Sequence, residues 1–83
     1  MRQIQAATKR REWSPERLRE LRQKLKMSPE EMGAAVFERT GEALDGRTIR
    51  RWESGKNSPM IGKLQLLARA FNMQLTYFLP FTG

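Results

Sequence analysis

The chain has no cysteine and no histidine. The first absence rules out disulfide staples and thiolate metal sites. The second removes the commonest general base and a frequent metal ligand, so catalysis is not an expected purpose. No catalytic residue, metal site or cofactor is assigned. Long apolar runs are missing too. Nothing approaches membrane-spanning length, and the start, Met1-Arg2-Gln3-Ile4-Gln5, lacks the apolar core of a signal peptide. The expectation is a soluble, cytoplasmic protein without a membrane partner. Strand signals, internal repeats and low-complexity segments are also absent. With 83 residues, one all-α domain with a modest core and a narrow stability margin is expected.

Positive charge is what the chain has in excess. The formal net charge is +7, with a pI near 10.9, which points to a polyanionic partner without naming one. Its distribution is uneven. Residues 1–26 hold nine Lys/Arg against three Asp/Glu, residues 27–46 one against five, and residues 47–83 six against one. The local balances are therefore +6, −4 and +5. A nonspecific coating protein would not need that alternation, whereas a domain docking in one orientation could use it.

Residues 1–13 carry Lys9-Arg10-Arg11 and, apart from Ile4 and Trp13, little that could pack. They read as a basic, flexible N-terminal arm, able to reach into a groove of a nucleic acid, ahead of a domain over 14–83. The first helix is expected to start at Ser14, with Pro15 at its first position and Leu18, Leu21 and Leu25 as its apolar stripe. Arg22 falls on that same face and needs a partner. The second helix opens at Ser28-Pro29-Glu30-Glu31, where Ser28 and Glu31 have capping-box spacing. Met32, Ala35 and Val36 face inward, and Gly33 signals a close approach by a neighbouring helix. This helix runs to about Arg39 before Gly41 breaks it. A fourth helix is expected from about Met60 to Phe71, with Ile61, Leu64, Leu67, Ala68 and Phe71 inward, and a short fifth from Gln74 to Leu79.

The third helix is the most informative stretch. Asp45 is an N-cap candidate, and Gly55 is the expected left-handed terminator just past the last turn. At about 100° per residue, with Ile49 at zero, Trp52 lies near −60° and Glu53 near +40°. Arg47 and Arg51 lie opposite, near about 160° and 200°, flanked by Thr48 and Arg50. One face is built for burial. The other presents like charges four residues apart, which are mildly repulsive unless an anion arrives. Arginine is also the side chain that binds the guanine edge bidentately in the major groove.

The segments Leu-Arg-Gln-Lys-Leu-Lys-Met-Ser-Pro-Glu-Glu-Met at 21–32 and Ile-Arg-Arg-Trp-Glu-Ser-Gly-Lys at 49–56 resemble a known family. So do Ser58-Pro59 and Leu67-Ala68-Arg69-Ala70-Phe71-Asn72-Met73. The family is the Cro/C1-type helix-turn-helix domain of phage repressors and bacterial XRE-like regulators, matched from about Leu18 to Leu79. The resemblance implies a compact, lambda-repressor-like five-helix bundle whose third helix enters the major groove of double-stranded DNA. It assigns Gly46, Arg47 and Arg51 to base-contacting places. Asp45, Thr48 and Arg50 match flanking or phosphate-contacting places, and Ser54, Lys56 and Asn57 match a loop near the backbone. Ser28 and Pro29 match a phosphate contact at a helix N-terminus. It also implies that Arg22 and Glu53 form a structural salt bridge. Two departures stand out. The connection between the second and third helices is long, which brings Arg39 and Thr40 toward the groove as extra contacts. Gly46 also stands where relatives often carry a long side chain.

The expected activity is sequence-specific transcriptional regulation, as a repressor acting as a homodimer on an inverted repeat. The candidate dimer surface is Leu75, Tyr77, Phe78, Leu79 and Phe81, with Tyr77 and Phe81 its more exposed members. Because so little chain follows the fourth helix, no separate effector domain is expected. Switching would then come from concentration, degradation or a protein partner such as a toxin or antirepressor. Such a regulator, in a phage, a mobile element or a restriction–modification system, would associate with the nucleoid. The rival is a protein-interaction module, an antitoxin or coactivator using the acidic residues Glu30, Glu31, Glu38 and Glu42 as its docking face.

Overall fold

The computed structural model describes residues 10–82, with side chains described for 12–80. Four α-helices follow one another: α1 (Pro15–Lys24), α2 (Pro29–Thr40), α3 (Gly46–Glu53) and α4 (Ile61–Ala70). A 3₁₀ turn, Leu75–Tyr77, takes the place of the expected fifth helix. Beyond the helices, the backbone of Arg10–Arg11 (β1) pairs antiparallel with Phe81–Thr82 (β2). The class is all-α.

Local chemistry fixes where each helix starts. The Ser14 hydroxyl accepts the Arg17 amide, and Pro15 opens α1. In α2 the capping box is complete: Ser28 Oγ accepts the Glu31 amide at 3.0 Å, and Glu31 Oε1 accepts the Ser28 amide at 2.8 Å. Two orphan donors of the first turn are thereby satisfied. Asp45 Oδ1 accepts the Thr48 amide at 2.8 Å and starts α3. Gly41 ends α2 in the left-handed conformation with φ of 83°, a region that costs a glycine little.

The core gathers Leu18 and Leu21 of α1, Met32 and Val36 of α2, Ile49 and Trp52 of α3, and Leu64, Leu66 and Leu67 of α4 around Phe78. Helix α2 packs on both α3 and α4, and α1 packs on α3. Gly33 is buried, and the Leu44 carbonyl oxygen occupies the place a Cβ would need. The close approach at Gly33 is therefore made by the α2–α3 connection and not by another helix.

Two apolar residues counted as inward are exposed. Leu25 and Ile61 are 39 and 56% accessible; Leu25 is the C-cap of α1 and Ile61 the first residue of α4. Leu66 and Ala70, outside the expected stripe, are buried, since α4 is covered on more than one side. Trp13 belongs to the domain, one residue before the expected boundary. Its ring packs on Trp52 and Phe78, and its Nε1 donates to the Trp52 carbonyl at 3.3 Å. Phe78 is fully buried, and Tyr77 is half-buried beneath the Arg17 guanidinium.

Candidate nucleic-acid interface

Helix α3 is held from behind. Ile49, Trp52 and Glu53 are buried, and Arg47, Arg50 and Arg51 are exposed. The carboxylate of Glu53 accepts two bonds from Arg22, from Nε at 2.6 Å and from Nη2 at 2.8 Å. Arg22 also donates to the Met27 carbonyl at 3.0 Å, and Arg19 Nη2 donates to the Glu53 carbonyl at 2.7 Å. The bond to Glu53 holds the Arg22 guanidinium above the ordinary arginine value, overriding the opposite push of burial. The charged residue on the apolar face of α1 thus meets the acid on the inward face of α3, and this clamp fixes the angle at which α3 presents its outer face.

The outer arginines are not equivalent. Arg47 makes no hydrogen bond or ion pair among the described residues. Arg51 Nε donates to Asn57 Oδ1 at 2.9 Å, leaving its terminal amino groups free to meet another partner. Arg50 Nη1 meets Glu30 Oε2 at 2.6 Å. This bond to Arg50 holds the Glu30 carboxyl below its usual range. A recess of about 280 Å³ runs beside Arg51 and Thr48 to Asn57 and Lys63, between the outer face of α3 and the start of α4.

Several expected contacts are placed differently. Gly46 is buried, and a Cβ there would meet Glu30 Oε2 at 2.6 Å. In the absence of DNA its backbone is covered by that carboxylate. Arg39 and Thr40 have partners within the domain. Arg39 Nη1 donates to the Ala70 carbonyl at 3.2 Å and lies over the Phe71 ring, while Thr40 Oγ1 donates to the Val36 carbonyl at 2.7 Å. The Arg39 contacts tie the end of α2 to the end of α4, while the Thr40 bond stays within the last turn of α2.

The remaining residues surround α3. Ser28 is engaged in its capping box, with Pro29 beside it. Asp45 caps α3, and Thr48 is half-buried. Ser54 Oγ donates to the Arg51 carbonyl at 3.0 Å, and Ser54, Lys56 and Asn57 are exposed past the helix end. The backbone of Arg10 and Arg11 lies in β1, and Lys9 falls outside the described residues. The Glu30–Arg50 and Asn57–Arg51 partnerships were not anticipated. The small residue Gly46 was the only sequence signal that a side chain must pass over the start of α3.

With that geometry, the match of a helix-turn-helix family over residues 18–78 takes in all four helices from Leu18 onward. The chain belongs to the Cro/C1-type helix-turn-helix family. Among curated proteins and among solved structures, nothing matches it. Membership implies DNA binding and transcriptional regulation, in a family that is typically non-catalytic. Among the described residues, no group of acids could hold a metal ion, and no helix is long and apolar enough to cross a membrane.

The same contacts set an acid limit for this helix-turn-helix domain. Hydrogen bonds from the Thr48 amide and hydroxyl, with Arg47 nearby, hold Asp45 below its usual range. A carboxyl lowered on folding contributes stability that is complete above its unfolded value and is lost as pH falls through the folded one. The Asp45 and Glu30 contributions should therefore be intact at neutral pH. They should decline as pH drops below the ordinary values of 3.8 and 4.5. Thermal melts followed by circular dichroism should show a plateau near neutrality and a fall in strong acid. Asp45→Asn keeps a cap acceptor and loses the titration, so its acid-side fall should be shallower.

Proposed function

We propose that this domain is a sequence-specific repressor that reads the major groove of double-stranded DNA with α3, as a homodimer on an inverted repeat. The observation that carries the reading is the division of α3. Its inner face is clamped by Glu53 and Arg22, and its outer face offers Arg47, unpaired among the described residues, and Arg51, whose amino groups remain available. In this reading Arg47 and Arg51 contact bases, and guanine is the base such groups suit best. Thr48 and Lys56 approach phosphates, and Lys9, Arg10 and Arg11 follow the backbone.

A single such domain reads few bases, and dimers of this class place two recognition helices about 34 Å apart. The surface that fits a second copy is the start of α4. Met60 and Ile61 are 80 and 56% accessible there, and together with Glu42, Gly62 and Lys63 they line a shallow recess separate from the one beside Arg51. An apolar patch flanked by one acid and one base is self-complementary across a two-fold axis. Tyr77 and Phe78 suit this role less, because their rings meet edge to face within the domain and Phe78 is fully buried. The rival interaction-module reading loses support because two of its four acids are engaged internally, Glu30 with Arg50 and Glu31 in its capping box.

Selection from a random duplex library near physiological salt, followed by anisotropy titration, tests the proposal. The expected winner is an inverted repeat with guanine in each half, bound at least ~10³-fold more tightly than scrambled DNA. Weak binding to every sequence, falling steeply with salt, would overturn it in favour of a partner-holding antitoxin or coactivator.

A further inference from the structure

We infer that Glu30 is an internal competitor for DNA, withholding Arg50 from the phosphate backbone and so lowering the affinity of the domain for duplex of any sequence. This rests on the DNA-binding reading above. Three observations converge on it. Arg50 and Glu30 are joined at 2.6 Å, although their side chains are 57 and 58% exposed. The contact crosses from α2 to the outer side of α3, so it occupies one of the three arginines that line that side. Gly46, the first residue of α3, leaves the space through which the carboxylate passes, since a Cβ would stand 2.6 Å from Oε2 and 2.8 Å from Cδ of Glu30.

The physical consequence follows from how proteins bind a polyanion. Each phosphate neutralised by a basic side chain releases condensed counterions and adds about −0.9 to the slope of log affinity against log salt. An arginine already neutralised by its own carboxylate releases none. DNA must either displace Glu30 or forgo that contact, and both weaken binding. The exposure of the pair makes opening easy. Arg50 is thus a cation held in reserve and not one of the contacts that dominate sequence-independent binding.

The test is anisotropy titration of a random-sequence duplex across a salt series, using the full chain, Glu30→Gln, Gly46→Ala, Arg50→Gln and the double variant Glu30→Gln/Arg50→Gln. Glu30→Gln should bind about fivefold more tightly near 0.15 M salt and about fifteenfold near 0.05 M, with a slope steeper by about one. Gly46→Ala should push the flexible carboxylate aside and give a gain of the same sign with the net charge unchanged. In the Arg50→Gln background, Glu30→Gln should give no steepening. Circular dichroism checks that each variant is folded.

An unchanged or weaker affinity for folded Glu30→Gln overturns the inference. So does an equal gain in the Arg50→Gln background, which would mean that Glu30 repels DNA merely as a nearby negative charge. A full chain that binds duplex while Glu30→Gln gains nothing leaves the DNA reading standing and removes this one. If neither the full chain nor Glu30→Gln binds any duplex, both fall together.

Discussion

Glu53→Ala is expected to destabilise the domain by about 3–5 kcal/mol, the range for stranding one member of a buried ion pair. The side chains of Arg22 and Glu53 are 18 and 8% exposed, so solvent does little to screen them. Removing the carboxylate takes away both short bonds to Arg22 and leaves the guanidinium with the Met27 carbonyl as its remaining partner. Small domains have only about 5–15 kcal/mol in total, so the variant should melt far below the parent and populate unfolded chain at moderate temperature. The pair need not be a large net source of stability, because both charges had to leave water to form it. Replacing both residues, as Arg22→Met/Glu53→Met, should therefore recover much of the loss. Urea unfolding of both single variants and the double variant reads this directly. A loss below about 1 kcal/mol for Glu53→Ala would be the behaviour of a surface pair, and would remove the clamp from the account of how α3 is oriented.

That clamp was legible before the structure because the family resemblance implies it, and helical periodicity puts both of its members on inward faces. A charged residue at the apolar spacing of α1 and an acid on the inward face of α3 each needed a partner, and family resemblance joined them. The capping box of α2 and the Asp45 cap were equally legible, since both are written within four residues. Features that depend on where a helix ends in space were not. Leu25 and Ile61 keep the apolar period but sit at helix ends, where they are exposed. Leu66 breaks the period and is buried because α4 is enclosed from more than one direction. The fifth helix became a three-residue 3₁₀ turn, tight enough for Phe78 to enter the core. At the interface the missed contacts join residues distant in sequence. Glu30 reaches Arg50 across two helices, and Arg39 turns to the end of α4. Neither path is encoded by helical spacing.

Arg51→Ala is expected to cost about 1–3 kcal/mol on the selected operator and to relax selectivity at one base position. The argument starts from the bond to Asn57. With Nε occupied at 2.9 Å by the Asn57 side-chain oxygen, the guanidinium has less freedom to rotate. Its two terminal amino groups then form the edge available to guanine O6 and N7, so little orientational entropy remains to be lost on docking. Truncation removes the base contact and that advantage together, and substitutions of the guanine should then matter little to the variant. Lys56 provides the contrast. It is exposed beyond the C-terminus of α3 and is proposed to meet only the backbone. Lys56→Ala should weaken all sequences alike and make the salt slope shallower by about one unit. Competition titrations of operator against single-base variants separate the two effects. Equal losses on operator and random duplex for both variants would mean that α3 acts through charge alone. A loss for Arg51→Ala confined to guanine-containing half-sites would identify it as a reading residue, and Asn57→Ala should then blunt the same discrimination in part, without changing the salt slope.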